Sequence, residues 1–185
     1  MLNETQLGEA IDSRFTRTLF RLEVLDRYDV ATDGADYDRY LRGEVGPDPA
    51  RKEPWLETLR REAAEGKYSH RVHVLTSPLT DYLRYECEWG YAYNAAAGED
   101  IRILDLAEIR RPVGLVDEDF WLIDNTHAVR MHYGPGGTFA GAELVPPDAV
   151  PCYRAARDAA WAVAVPFPAW WAEHPRYWRT NWLAA

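Results

Sequence analysis

Four carboxylates in one short stretch, Asp117, Glu118, Asp119 and Asp124, are the first residues whose types and spacing suggest chemistry. Clustered carboxylate oxygens are suitable ligands for Mg²⁺ or Ca²⁺. The stretch does not follow the calcium-loop pattern D-x-[DN]-x-[DN]-G, because Trp121 stands at the third ligand position. A solvated acidic turn is therefore the favoured interpretation, and no metal or cofactor is predicted.

A second group of polar residues lies in the turn at 76–81. Ser77 and Thr80 stand where a predicted strand ends and a helix begins, and Arg84 follows Thr80 by one helical turn. Such positions often bind anionic ligands in α/β proteins. Helix capping is the alternative, with Ser77 as N-cap and Pro78 at the first helical position. The patterns of Gly-rich phosphate loops and of the G-x-S-x-G elbow do not occur, which argues against a nucleotide-binding loop and a standard serine hydrolase.

The histidines are not spaced to share a metal ion. His70 and His73 are three apart on a predicted strand, which places them on opposite faces, and His127 and His132 also alternate away from each other. His132, Asp124 and Asp119 remain candidates for an acid or base. One hypothesis therefore gathers six residues around a small-molecule pocket: Ser77, Thr80, Arg84, Trp121, Asp124 and His132.

Hydrophobic periodicity predicts a mixed α/β (α+β) domain over residues 1–167. Strands are expected at 18–25, 68–75, 101–104, 120–123, 128–133 and 138–145, with a hairpin at Gly134–Gly137. Helices are expected before Thr18, from Pro54 to Gly66, at 79–91 and at 147–165. The result is a five- to six-stranded mixed sheet flanked by helices.

The amino-acid composition limits the classes of partner that are expected. A net charge of -9 argues against direct binding to nucleic acid, which needs surplus Lys and Arg. No stretch resembles a signal peptide or a membrane span, so a cytoplasmic protein that does not bind membranes is expected. Cys87 and Cys152 form no recognisable pattern and are interpreted as thiols.

The segment 168–185 contains four of the eight tryptophans, Trp170, Trp171, Trp178 and Trp182. An exposed run of this kind would be adhesive. The tail is therefore expected to pack on its own domain or to form a dimer or partner interface, because Trp, Tyr and Arg dominate interfaces. Lipid contact is a third, less favoured alternative.

The order of elements from Ala96 to Trp170 resembles one half of the phospholipase D fold. In that fold a H-x-K-x4-D pattern lies before and on a strand, and its Asp is the residue that ends the strand. If Asp124 corresponds to the final Asp, then Asp117 and Asp119 stand where the family has its nucleophilic His and phosphate-binding Lys. Each added negative charge would repel a phosphodiester by roughly 1 to 4 kcal/mol at about 4 Å. The resemblance implies a domain that has lost the phosphodiesterase chemistry, and halves of that fold tend to pair as homodimers.

The chain also resembles an uncharacterised actinobacterial family whose members are often encoded beside helix-turn-helix regulators. The resemblance rests on residues 20–23, 77–84, 97–102, 119–124, 131–133 and 141–144. It implies a non-enzymatic regulatory or interaction protein that binds a partner, such as a helix-turn-helix regulator, or a small ligand. The alternative is an enzyme of specialised metabolism that uses the six-residue pocket.

Overall fold

The chain forms helices and strands, with four successive strands and no α-helix between residues 100 and 144, all of which the structure describes. The computed structural model describes residues 1–29 and 34–182, residue 182 by its backbone alone. The helices of this part are α1 (Glu4–Asp12), α2 (Gly34–Leu41), α3 (Pro49–Ala64), α4 (Asp81–Tyr85), α5 (Ala92–Ala96), α6 (Val150–Val163), α7 (Phe167–Glu173) and α8 (Arg179–Trp182). A π-helical turn, Glu86–Tyr91, joins α4 to α5. The strands are β1 (Thr18–Glu23), β2 (Tyr68–Leu75), β3 (Asp100–Asp105), β4 (Phe120–Ile123), β5 (His127–Tyr133), β6 (Phe139–Leu144) and β7 (Val165–Pro166).

The strands form one mixed sheet in the order β6-β5-β4-β1-β2-β3-β7. β1, β2 and β3 run parallel, because helical segments return the chain to the same edge between them. β4, β5 and β6 form an antiparallel meander beside β1. The predicted mixed α/β class is confirmed. β7 makes seven strands rather than five or six, and its two residues give no alternating pattern from which a strand could be predicted.

The two faces of the sheet are covered differently. One face packs its apolar side chains, such as Phe20, Leu22 and Val72, against Ala156 and Ala160 of α6. The other face is covered at one end by α1 and at the other by α4, the π-turn and α7. The middle of this second face lies between these helices and carries charged residues of β1 and β2.

Several predicted helix ends are wrong, for local reasons. α3 begins at Pro49 with Asp48 as its N-cap, so that Pro54 lies inside the helix. The N-cap of α4 is Thr80 rather than Ser77, and the helix begins at Asp81. The cis Ser77-Pro78 peptide belongs to the turn that precedes it.

The aromatic tail packs on its own domain. Trp170 is 2% exposed and shares a core cluster with Phe167, Tyr177 and Leu83. The boundary expected at residue 167 falls inside α7, because the apolar face of this helix covers β3. Trp171 and Trp178 are partly exposed, and the side chain of Trp182 lies outside the described residues. In the described part of the chain, no helix is long and apolar enough to cross a membrane.

Candidate functional site

The three aspartates of the predicted phosphodiesterase-like pattern do not meet. Asp117 is exposed and pairs with Arg111 at 2.6 Å. Asp124 has a left-handed backbone (φ 49°) and accepts hydrogen bonds from the backbone N–H groups of residues 16–18. Its slight burial raises the pKa of Asp124, but a hydrogen bond from the Thr16 hydroxyl and those from the N–H groups outweigh burial and hold the pKa below its ordinary value. Asp119 is buried elsewhere, so the three carboxylates serve three separate places in the fold.

The hydroxyl groups of the 76–81 turn are occupied by local structure. Thr80 accepts a hydrogen bond from the Leu83 N–H and donates one to the carbonyl of Asp26. Ser77 donates to the buried carboxylate of Asp105 at 2.5 Å. Arg84 lies beside Asp81 at 3.6 Å and over the Tyr177 ring. Thr80 therefore caps α4, whereas the capping role expected of Ser77 is wrong, because its hydroxyl bonds Asp105 instead.

His132 lies on the other face of the sheet from Trp121. It stands beside Glu143 on the α6 face, whereas Trp121 shares a cluster with Val129 and Met131 under α1. Because side chains alternate along β5, His132 and Met131 cannot point to the same side. The six-residue pocket expected from the sequence is therefore not assembled, and of those six residues only Trp121 lies in the cleft described next.

A cleft opens over the middle of the sheet between α1 and the π-turn. Its volume is about 470 Å³, and its rim is formed by α1, α3 and the turns near Tyr28 and Gly137. Its residues are Glu4, Leu7, Gly8, Ile11, Arg21, Glu23, Tyr28, Asp29, Lys52, Trp55, Arg71, Tyr82, Glu86, Gly90, Asn94, Trp121, Met131, Tyr133, Gly137 and Phe139. A cleft of this size with apolar walls and a few polar groups fits a small organic ligand.

The floor of the cleft is built around Glu23 and two arginines. Arg21 Nε donates to Glu23 Oε1 at 2.8 Å, and Arg71 Nη1 donates to Glu23 Oε2 at 2.9 Å. Arg21 and Arg71 are paired residues of the parallel strands β1 and β2, which brings both guanidinium groups to one side of the sheet. Burial alone would raise the pKa of Glu23, but Arg71 and Arg21 outweigh burial and hold it well below its ordinary value. Glu23 is therefore a permanent anion at neutral pH.

A second layer of polar groups fixes Arg71. Its Nε donates to Glu99 at 2.7 Å, and Asn94 donates to the other oxygen of Glu99 at 3.0 Å. The Tyr91 hydroxyl lies 3.0 Å from Glu23 Oε2 and 2.5 Å from Nδ1 of the buried His73. These partners leave the guanidinium group little freedom, so the floor is preorganised.

Arg21 is fixed by an aromatic and acidic surround. It lies over the Trp121 ring at 4.8 Å, and its Nη2 donates to the Tyr133 hydroxyl at 3.0 Å. The carboxylate of Asp119 accepts from the Tyr28 hydroxyl at 2.7 Å and lies 3.4 Å from Arg21. Burial raises the pKa of Asp119 above its ordinary value and that of Tyr133 to about 12. Tyr133 therefore remains a neutral hydroxyl at physiological pH.

The π-turn contributes one wall. Glu86 and Gly90, the first and fifth residues of the turn, line the cleft, and a Cβ on residue 90 would lie 3.3 Å from the Glu86 carboxylate. Glycine at position 90 thus leaves room for Glu86 beside the cleft. Short π-helical insertions are frequent at functional sites, which agrees with this position.

Comparison with known families gives one match. The model of a family described as Domain of unknown function (DUF6879) matches residues 5–172. The chain belongs to this family. The match covers the whole sheet, the first part of the tail and every cleft residue except Glu4, so the floor of the site described above lies within the DUF6879 domain. No curated protein is significantly similar to the chain.

The cleft residues Arg21, Glu23 and Arg71 were missed in the sequence, although a signal was present. In 18–25 and in the second half of 68–75, polar side chains alternate with apolar ones, which is also the pattern of a sheet with one solvated face. The sequence does not show that helices cover that face. Because the helices cover this face, its charged side chains form the buried floor of the cleft instead of a solvated surface.

One cluster of possible metal ligands lies outside the cleft. Among the described residues, Asp105, Glu108 and His174 bring one donor atom each within 4.8 Å of one another. They stand at the carboxyl end of β3, where the tail folds back onto the sheet.

Proposed function

We propose that this DUF6879 protein is a non-catalytic, cytoplasmic regulatory protein that binds a small polar organic molecule in the cleft over Arg21, Glu23 and Arg71. The observation that carries the proposal is the preorganised charged floor, enclosed by aromatic side chains. Arginine groups held in place by Glu23 and Glu99 supply directed hydrogen-bond donors whose ordering adds little to the entropic cost of binding.

The charge of the cleft favours a neutral or zwitterionic ligand. Its lining includes three cationic side chains, Arg21, Lys52 and Arg71, and four anionic ones, Glu4, Glu23, Asp29 and Glu86. A strongly anionic ligand would be repelled by Glu23, which lies between the two arginines. A molecule with both donors and acceptors, such as an amino acid or a nucleoside, matches the alternating charges.

The walls favour a planar ring in the ligand. Trp121, Tyr133 and Phe139 line the cleft beside the floor, and Trp55 lies at its rim with 42% of its surface exposed. Aromatic rings prefer to stack or to meet edge to face with other rings. The ligand class proposed is therefore a small molecule with a planar ring and polar substituents.

The ionisation states favour binding over catalysis. Glu23 is a weak base, because its pKa is held well below the ordinary value, and Tyr133 is a weak acid with a pKa of about 12. A general acid or base works best with a pKa near the working pH. The described residues that line the cleft include no Ser, Thr, Cys or His that could act as a nucleophile.

The regulatory part of the proposal rests on the resemblance to proteins encoded beside helix-turn-helix regulators. Ligand occupancy would change how the domain contacts such a partner or a second copy of itself. The partly exposed Trp171 and Trp178 are candidate contact residues, whereas Trp170 is enclosed by its own domain.

Thermal unfolding of the full chain with free amino acids and nucleosides tests the binding step. A ligand at a hundredfold excess over its Kd stabilises the folded state by about 2.7 kcal/mol, which raises Tm by several degrees. Replacing Trp55 with alanine should raise the Kd measured by calorimetry about tenfold, because the ligand loses an aromatic ring to stack on. The fold should lose little stability, because this ring lies at an exposed position. Tyr93→Ala is the control, since Tyr93 is 38% exposed and lies outside the cleft lining. Equal affinity in both variants would contradict the assignment to the cleft.

A further inference from the structure

His174 is distant in sequence from Asp105 and Glu108 but meets them at one end of the sheet. Asp105 is the last residue of β3, Glu108 follows in the next turn, and His174 ends α7 in the tail. Asp105 and His174 are buried, with 0% and 4% exposure, whereas the Glu108 side chain is 44% exposed. The cluster therefore has two fixed members and one that can move.

The orientation of the His174 ring is fixed by its neighbours. Nδ1 lies 2.6 Å from the carbonyl oxygen of Trp170. A carbonyl oxygen only accepts hydrogen bonds, so Nδ1 carries the proton and Nε2 is the nitrogen directed at the carboxylates. Stacking on Trp170, with 4.2 Å between ring centres, holds the ring in this position. A histidine that donates one N–H to a backbone carbonyl is the usual arrangement of a metal ligand.

Asp105 is oriented in a comparable way. Its carboxylate accepts hydrogen bonds from the Ser77 hydroxyl at 2.5 Å, the Ser77 N–H at 3.2 Å and the Ala107 N–H at 2.9 Å. These leave one of the approximately four lone-pair sites of a carboxylate. Among the described residues, no Lys or Arg forms a salt bridge with Asp105. Arg176 acts electrostatically on Asp105 and Glu108, but it is exposed to solvent and forms no salt bridge with either of them among the described residues. A fully buried carboxylate without a direct cationic partner is costly, which is the independent indication that a cation binds here.

We propose that Asp105, Glu108 and His174 bind a divalent transition-metal ion, with Zn²⁺ as the preferred ion. One imidazole nitrogen and two carboxylate oxygens form a zinc-type ligand set and leave a position for water. Mg²⁺ and Ca²⁺ prefer oxygen ligands alone. Glu108 Oε1 lies 2.8 Å from His174 Nε2, and its exposed side chain can rotate outward to admit the ion between them.

Metal binding would fasten the tail to the sheet. His174 belongs to the tail and Asp105 to β3, so an ion between them links the two as a cross-link would. The competing account is a simple ion pair between Glu108 and a doubly protonated His174. Both accounts hold the tail in place, but only the first predicts specific metal affinity.

Calorimetric titration of the EDTA-treated full chain with ZnCl₂ tests the proposal. One ion should bind per chain, and Co²⁺ should give the visible absorption of a low-symmetry site. Glu108→Gln removes one ligand from an exposed position with little cost to folding, and should lower the Zn²⁺ affinity at least about tenfold. His174→Gln should do the same.

The control is Glu143→Gln, which alters the other His–Glu pair found among the described residues, Glu143 with His132. This variant should keep the affinity of the unsubstituted protein. The proposal is overturned if Zn²⁺ does not bind at millimolar concentration, or if Glu108→Gln binds it as tightly as the unsubstituted chain does. The second result would mean that surface histidines hold the ion and that the cluster is an ion pair only.

Discussion

Arg21 and Trp121 stand directly opposite each other on the antiparallel strands β1 and β4, with the guanidinium group 4.8 Å from the centre of the ring. The register of the strands therefore decides that a charged and an aromatic group meet at the floor of the cleft. A shift by one residue would turn one of them to the other face of the sheet. The ligand-binding proposal depends on this pairing.

Glu23→Gln should strongly destabilise the protein. The substitution removes the negative charge that Arg21 and Arg71 share and replaces one accepting oxygen with an NH2 group, which leaves two largely buried guanidinium groups without their ion-pair partner. Breaking a buried ion pair costs about 3 to 5 kcal/mol in the free energy of unfolding, which urea denaturation measures. Glu53→Gln is the control, because its pair with Arg60 is half exposed and is worth at most about 1 kcal/mol. Equal losses in both variants would contradict a structural role for Glu23.

His70 should make stability depend on pH between about 6.5 and 4. Burial lowers its pKa to about 4, so the unfolded chain takes up a proton in this range and the folded chain does not. Stability is therefore present above the unfolded pKa and is lost as pH falls, by up to about 3 kcal/mol. His70→Phe, which keeps the ring contacts with Phe20 and Trp161, should show a shallower decline in denaturation curves taken across this range. Parallel curves for both proteins would rule out His70 as the cause.

Trp170→Ala should destabilise the fold rather than an assembly. The side chain is enclosed by its own domain, and its removal leaves a large cavity worth about 3 to 5 kcal/mol. Trp171→Ala, at a partly exposed position of the same helix, should cost less. Denaturation gives the free energies, and light scattering gives the oligomeric state. A change of oligomeric state in Trp170→Ala without a loss of stability would reverse this interpretation.

Gly137→Ala should be much more harmful than Gly136→Ala. Both residues have a positive φ, 83° and 74°, which costs an alanine about 1 kcal/mol or more. A Cβ on residue 137 would also meet the Arg27 carbonyl oxygen, whereas residue 136 has no atom within 4 Å of that position. The difference in free energy of unfolding between the two variants should therefore exceed about 1 kcal/mol. Equal values would show that the turn at the cleft rim can shift.

The elements of the fold were largely predictable from local patterns, because β2 alternates over part of its length, β4 is a short continuous apolar run, and the Gly134–Gly137 turn lies between two strands. The first residues of the helices were harder to predict. Pro49 and Pro54 are both suitable first residues for α3, and the helix begins at Pro49 because Asp48 caps its first turn. β7 depends on tertiary pairing with β3 and has no local signal.

The candidate sites were harder to predict, because each is formed by residues far apart in sequence. The cleft floor combines β1 and β2, and the possible metal site combines β3 with the tail. The carboxylates that lie close together in sequence, from Asp117 to Asp124, are separated in the fold because the strand and its flanking turns point them in different directions. Proximity along the chain was therefore a poor guide to chemistry.

The ligand-binding cleft is tested most directly by native mass spectrometry. The full chain is purified gently and mixed with the same free amino acids and nucleosides as in the thermal unfolding experiment. The account predicts a complex with one small molecule, which dissociates on mild collisional activation, persists in Tyr93→Ala and is depleted in Trp55→Ala. A chain that carries no small molecule in any of these mixtures, or that carries one equally in both variants, would contradict it.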